Sequence, residues 1–223
     1  MEEGSAVLLF NGRDGEWQAT VERAERRRGM VSISEQTRAQ TFPPELTLFF
    51  APLKKDPTEL VIQKGTELGV RRFQPVITAR TILPKGGLKM DRLQTIALEA
   101  AEQCERLDLP AIHDPLPLED SLRALPEGSI SVFADEAGDD ASERWGGAGG
   151  RARPMLEAVS GAGQAPCREV LIGPEGGFTP EERHSLRARD DILPVSLGPR
   201  ILKAETAAIT ALTLWQAARG DWR

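Results

Sequence analysis

The spacing of apolar and polar positions changes character near residue 45. Before it, apolar-rich runs at Ala6–Phe10, 16–23 and 30–34 read as strands, and Asn11-Gly12-Arg13-Asp14-Gly15 makes a hairpin between the first two. Three short strands bury too little to stand alone, so they need either the rest of the chain or further strands. Thr41-Phe42-Pro43-Pro44 reads as a linker. Beyond it strands and helices alternate, as they do in a parallel α/β sheet. Strands are expected at 46–50, 73–77, 130–134, 170–172 and 192–197, and helices at 56–68, 91–107, after Pro154, from Pro180 and at 205–218. Asp56-Pro57-Thr58-Glu59 has the form of a capping box, and Gly69 ends the helix it opens. On the second helix Leu93, Ile96, Ala97, Ala100, Ala101 and Cys104 share one face, which assigns Cys104 to the core. Residues 139–153 are rich in glycine and charge and read as a mobile segment. The last helix is apolar around most of its circumference, more than one buried face requires, which suggests packing against a second subunit.

Two places repeat one design. Val170, Leu171 and Ile172 form a buried strand that stops at Gly173-Pro174, and Glu175-Gly176-Gly177-Phe178 leads to Thr179-Pro180-Glu181-Glu182. Thr179 is a helix N-cap, Pro180 fits the first turn and Glu182 completes a capping box. About twenty residues later a second apolar strand stops at Gly198-Pro199 and leads through Arg200-Ile201-Leu202-Lys203 into the last helix. Glycine at such corners lets main-chain groups come close to a ligand, because no Cβ intervenes. The expectation is one ligand held between two neighbouring loops at the carboxyl ends of parallel strands.

Composition narrows the classes. No apolar run approaches membrane-spanning length, and the acidic start Met1-Glu2-Glu3-Gly4 lacks the features of a signal peptide. Two distant cysteines, Cys104 and Cys167, and two histidines, His113 and His184, argue for a reduced cytoplasmic protein without a metal site. The net charge of −6 weighs against a general nucleic-acid binder, but its distribution is uneven. Residues 1–110 carry 16 basic and 16 acidic side chains, and the remainder carries 12 and 18. Within the first part, Arg71, Arg72, Arg80, Lys85, Lys89 and Arg92 stand against the single acid Asp91, either as a solvated loop or as a phosphate-facing patch. Arg26-Arg27-Arg28 lies at a turn, where it is solvated or touches a phosphate. Generic motifs add little: no Lys-Ser/Thr follows the glycine loop, and no G-x-G-x-x-G follows a strand.

Four segments in order are more specific: Thr66-Glu67-Leu68-Gly69-Val70, Glu99-Ala100-Ala101-Glu102-Gln103-Cys104-Glu105-Arg106, Ile172-Gly173-Pro174-Glu175-Gly176-Gly177-Phe178, and 197–207, Leu-Gly-Pro-Arg-Ile-Leu-Lys-Ala-Glu-Thr-Ala. Together they resemble the RsmE family, bacterial methyltransferases of 16S ribosomal RNA that modify N3 of one uridine. The resemblance implies an α/β fold: a SPOUT-class knotted parallel sheet flanked by helices over residues 45–223. Before it, residues 1–44 would form a small PUA-like RNA-binding β domain, short of the family's opening strands. It also implies S-adenosylmethionine as cofactor, a homodimer, and 16S ribosomal RNA in the small ribosomal subunit as partner, with neither membrane nor metal. Lys203 stands where the family commonly has arginine, keeping the charge without the planar fork.

Carried over by position, the cofactor would meet Ile172, Gly173, Pro174, Glu175, Gly176, Gly177, Ser196, Leu197, Gly198, Ile201, Leu202 and Ala204, mostly through main-chain groups. Arg200, Glu175 and Glu205 are the candidate catalytic groups. Glu205 reads equally as a helix N-terminal charge facing the macrodipole. Candidate RNA contacts are Lys64, Arg71, Arg72, Arg80, Lys85, Gln103 and Arg106, although Arg106 can also pair with Glu102 one turn earlier. A cofactor-binding module without catalysis and a nucleotide-phosphate enzyme are the alternatives.

Overall fold

The structure, a computed structural model, describes residues 2–26, 28–83, 86–135 and 152–222. Arg27, Lys85 and the expected mobile segment up to residue 151 lie outside the described residues. The chain divides into two compact units, Met1–Phe42 with Ala101–Leu109, and Pro43–Ala100 with Pro110–Arg223.

In the first unit, β1 (Ala6–Phe10), β2 (Glu16–Ala24) and β3 (Gly29–Arg38) form an antiparallel sheet in the order β1-β2-β3. β3 runs longer than its apolar pattern suggested, and its pairing with β2 slips at three points. Ala19 and Val21 are buried on one face of β2, while Met30, Val31 and Ile33 remain exposed on β3. Arg38 ties the sheet to 101–109: its Nε donates to Glu16 Oε1 at 3.0 Å and its Nη1 to the Glu105 carbonyl at 3.3 Å. The Arg38 guanidinium, helped by the Thr37 hydroxyl, holds the Glu16 carboxyl below its usual range.

The second unit carries a parallel sheet. Its strands are β4 (Thr47–Phe50), β5 (Arg72–Ile77), β6 (Ala111–Ile112), β7 (Leu116–Pro117), β8 (Ser131–Ala134), β9 (Arg153–Pro154), β10 (Glu169–Ile172) and β11 (Ile192–Ser196). The order is β6-β5-β4-β10-β8-β11-β9, with β7 also paired to β5, and every described pairing in it is parallel. Strands in such a sheet are covered on both faces and read as continuous apolar runs. Val170 and Ile172 accordingly point into one core and Leu171 into the other. The larger core joins the sheet to α1 (Lys55–Glu67), α2 (Met90–Gln103), α4 (Met155–Ser160) and α6 (Ala204–Arg219). The smaller core lies under α3 (Leu118–Arg123) and α5 (Pro180–Arg187), where Phe133 and Phe178 meet edge to face at 5.2 Å between ring centres.

Two local expectations change. α1 starts one residue earlier than the sequence suggested, with Lys54 as N-cap and no side-chain cap bond. Thr58 instead turns back, accepting from Leu53 N–H and donating to the Leu53 carbonyl, both at 3.0 Å. α2 ends at Gln103, four residues short of expectation, because Glu105 takes a left-handed conformation (φ +58°) and turns the chain. Cys104 therefore lies beyond the helical repeat and is exposed rather than in the core. The apolar girth of α6 is used within the unit: Ala208, Ala211, Leu212 and Trp215 are buried in the larger core. Trp215 Nε1 donates to the Cys167 carbonyl at 2.8 Å, and Gln216 Nε2 to the Leu68 carbonyl at 2.7 Å. Burial beneath this helix pushes the Cys167 thiol up to about 11.

Candidate active site at the strand ends

The carboxyl ends of β8, β10 and β11 open on one cavity of about 760 Å³. That lies within the range of small-molecule sites. The loop after β10 begins at Gly173, where a Cβ would meet the Phe178 ring at 2.6 Å, so glycine is required for Phe178 to close the core beneath the loop. Gly177 N donates to the Pro174 carbonyl at 2.9 Å, folding 174–177 into a turn. The turn delivers the chain to α5 through the expected capping box: Glu182 N donates to Thr179 Oγ1 at 3.2 Å, and Thr179 N donates to Glu182 Oε2 at 2.9 Å. The loop after β11 turns at Gly198, whose φ of +116° excludes most side chains, and Gly198 N donates to Ser196 Oγ at 3.2 Å.

The sequence candidates on these two loops come together. Ile172, Gly173, Pro174, Glu175, Gly176 and Gly177 line the cavity with Ser196, Leu197, Gly198, Ile201, Leu202 and Ala204. Arg200, Glu175 and Glu205 line it too. Glu175 and Arg200 are exposed, and Glu205 is half-buried in the first turn of α6. A Cβ added to Gly198 would meet no protein atom within 4 Å, and one on Gly176 would meet only the Arg80 stem, at 3.5 Å. Both corners thus leave open space beside main-chain groups.

The two loops are not neighbours, however. β8 lies between β10 and β11, and its end supplies Ala134 and Asp135 to the same wall. Asp135, with its side chain 1 % exposed, accepts from Arg183 Nε at 3.0 Å and from Arg187 Nε at 2.6 Å, locking α5 to the end of β8. Nothing in the spacing of Asp135 marks it as a site residue; its ion-pair partners come from 48 and 52 residues away in sequence. Pro57 on α1 and Arg80 in the loop after β5 also line the cavity without a sequence signal for that position.

The candidate RNA contacts scatter. Lys64 pairs with Glu67 at 2.8 Å on α1, Arg72 pairs with Glu45 at 2.6 Å, and Arg71 pairs with the same carboxylate. Arg80 turns to the glycine loop, where its Nη1 donates to the Gly176 carbonyl at 2.8 Å. Gln103 is exposed, and Lys85 lies outside the described residues. Arg106 pairs with Asp108 at 2.7 Å rather than with Glu102, and its side chain is only 8 % exposed. The turn after α2 puts Asp108, and not the preceding helical residue, in front of the guanidinium. Among the described residues no group of three or more His, Cys, Asp or Glu is arranged to hold a metal, and no helix is long and apolar enough to cross a membrane.

Comparisons with known proteins agree with this geometry. Residues 40–216 match the RNA methyltransferase domain family. The ribosomal RNA small subunit methyltransferase E of Rickettsia conorii is 31% identical over 212 residues, which cover 95% of this chain and 80% of that protein. A methyltransferase from Legionella pneumophila, solved with SAM bound, superposes with a TM-score of 0.80 at 33% identity, over 99% of this chain and 86% of that one. The ribosomal RNA small subunit methyltransferase E of Neisseria gonorrhoeae, bound to S-adenosylmethionine, gives 0.84 at 25% identity, over 100% and 87%. The chain, with its parallel sheet and its cavity at the glycine corners, belongs to the RNA methyltransferase family of ribosomal RNA small subunit methyltransferase E.

Proposed function

We propose that this protein methylates N3 of a uridine in 16S ribosomal RNA of the small ribosomal subunit, using S-adenosylmethionine held at the ends of β8, β10 and β11. The observation that carries the proposal is convergence: two loops alike in sequence but separated by a strand line one cavity, and relatives with this fold are solved with that cofactor. The cavity suits the cofactor chemically. Ile172, Leu197 and Ala204 offer apolar surface, and the corners at Gly176 and Gly198 offer main-chain groups with no Cβ in the way.

S-adenosylmethionine supplies an already activated methyl group, so the chain's task is to align the acceptor nitrogen with it. Uracil N3 carries a weakly acidic proton that has to leave. Arg200, which makes no ion pair among the described residues, is the proposed donor to a uracil oxygen as negative charge develops there. Glu175 and Glu205 are the proposed acceptors of the proton, directly or through water. The rate should therefore rise with pH as N3 deprotonates. Arg200→Ala should lose about a hundredfold in rate, the size of one lost transition-state donor, while cofactor affinity stays within about twofold. Parental rates in Arg200→Ala would remove it from the chemistry.

The proposed topology is the trefoil knot of the SPOUT class. In support, α6 packs on α1 and β10 although β11 lies beyond β8, so residues 197–203 travel back past the end of β8. Residues 1–44 are proposed as a PUA-like RNA-binding domain, and 45–223 as the methyltransferase domain. On the RNA side Lys64, Arg71, Arg72, Lys85 and Gln103 are the proposed contacts. A cytoplasmic homodimer is proposed, with Thr206, Ile209 and Thr213 on the side of α6 that the core leaves uncovered.

A further inference from the structure

Arg80 is a cation whose surroundings do not fit a phosphate contact. It follows β5 in a tight turn: Thr81 N donates to the Thr78 carbonyl at 3.1 Å, and Thr78 N donates to Thr81 Oγ1 at 2.9 Å. That turn is fastened to the glycine loop and to the first turn of α5, about a hundred residues away in sequence. Ala79 N donates to Glu182 Oε1 at 2.8 Å, while the other carboxylate oxygen of Glu182 caps Thr179. Arg80 Nη1 donates to the carbonyl of Gly176 at 2.8 Å and reaches that of Phe178 at 3.5 Å. The aliphatic stem of Arg80 runs along Gly176, so a Cβ there would stand 3.5 Å from Arg80 Cδ and 3.6 Å from its Cβ.

We propose that Arg80 is a positioning residue for the cofactor loop: its guanidinium fixes the Gly176 carbonyl, and with it the corner against which S-adenosylmethionine binds. This rests on the reading of the cavity as the cofactor site. The physical case is one of preorganisation. Pro174 is buried, but Glu175 and Gly176 are exposed and two of the four residues 174–177 are glycine, so this part of the loop costs conformational entropy to hold in one shape. A charged donor shared between two carbonyls of that loop restricts it before the cofactor arrives, and a charge-assisted bond is the stronger kind. Both contacts come from one nitrogen of a rigid planar group, whereas the lysine ammonium ends a flexible chain and lacks that fixed donor geometry.

The test measures cofactor binding by calorimetry without RNA, on the full chain, in Arg80→Met, Arg80→Lys and the parent. Parental binding establishes that the cavity takes S-adenosylmethionine, and its failure would sink the cofactor reading itself. With that established, Arg80→Met should bind about tenfold more weakly, and Arg80→Lys should recover only part of the loss. Thermal unfolding of both variants should stay close to the parent. RNA binding, titrated over a salt series, should keep the parental slope. Unchanged cofactor affinity would overturn the proposal. So would a decrease of about 0.7 in the magnitude of the salt slope with cofactor affinity intact, because that marks a lost single-strand phosphate contact. If Arg80→Met fails to fold, the charge-conserving Arg80→Lys decides alone: parental cofactor affinity in it would overturn the role assigned to the guanidinium.

Discussion

Single residues show where this sheet tolerates charge and where it tolerates volume. Glu169 opens β10 with 3 % of its surface exposed, and its Oε2 has no hydrogen-bond partner among the described residues. Burial raises its carboxyl above the ordinary range, against the pull of the Arg168 main chain and the Ser129 hydroxyl. The folded chain thus keeps a proton that the unfolded chain releases, and stability falls as pH rises from the unfolded value to the raised folded one. Glu169→Gln removes that cost, so its melting temperature should exceed the parent's by about 2–4 °C at pH 8, with the difference gone near pH 4. An equal difference at both values would show that packing, not ionisation, is at work. The glycine corner makes a separable pair of predictions. Gly173→Ala drives a methyl into the Phe178 ring and should destabilise by about 1–3 kcal/mol. Gly176→Val faces open cavity beyond the Arg80 stem, so it should melt near the parent yet lose S-adenosylmethionine binding. Calorimetry showing unchanged affinity in Gly176→Val would take the loop out of the cofactor site.

At the scale of elements, what the sequence made legible was periodic and local. The apolar runs located β4, β5, β8, β10 and β11 to within a residue or two, and Thr179-Pro180-Glu181-Glu182 announced the start of α5 together with its cap. Where a side chain had two ways to satisfy the same backbone, local pattern misled. Thr58 looked like part of a box built on Asp56, but it bonds to Leu53, because Pro57 sits inside the first turn and not at its start. Cys104 continued an apolar stripe that the chain abandons one residue earlier. The buried side of α6 belongs to the unit's own core, so the proposed dimer rests on the other side of the helix. Ala208 and Ala211 are buried in the core that α6 shares with α1 and α4, so Ala208→Glu should unfold the chain rather than split a dimer. Ile209 lies outside that core. Light scattering should find a dimer at micromolar concentration for the parent and a shift toward monomer for Ile209→Arg, with the melting temperature little changed. A monomeric parent would remove the proposed interface.

For the molecule as a whole, the site depends on a strand order that no local signal carries. The two glycine corners share a sequence design, and their placement on neighbouring strands was the simple reading. β8 between them brings Asp135, buried and doubly bonded to α5, into the wall that the corners line. Strand insertion of this kind is set by long-range packing, and ordinary rules of chain connection favour simpler paths. Resemblance to a family supplied the chemistry that periodicity did not, and the residues it offered for cofactor and catalysis line one cavity, while those it offered for RNA, Arg80 apart, do not among the described residues. Base and ribose acceptors place different demands on that cavity. A ribose hydroxyl is far less acidic than uracil N3 and calls for a stronger general base. Neither His113 nor His184 lines the cavity, and of its carboxylates Glu175, Glu205 and Asp135 the last is held in ion pairs with Arg183 and Arg187, a set suited to the more acidic nitrogen. The most direct measurement is nuclease digestion and mass spectrometry of 16S ribosomal RNA from small subunits treated with the purified protein and S-adenosylmethionine. The account predicts a methyl group on uracil N3 of a single uridine. A 2′-O-methyl nucleoside, or unmodified RNA from a protein that binds the cofactor tightly, would contradict it.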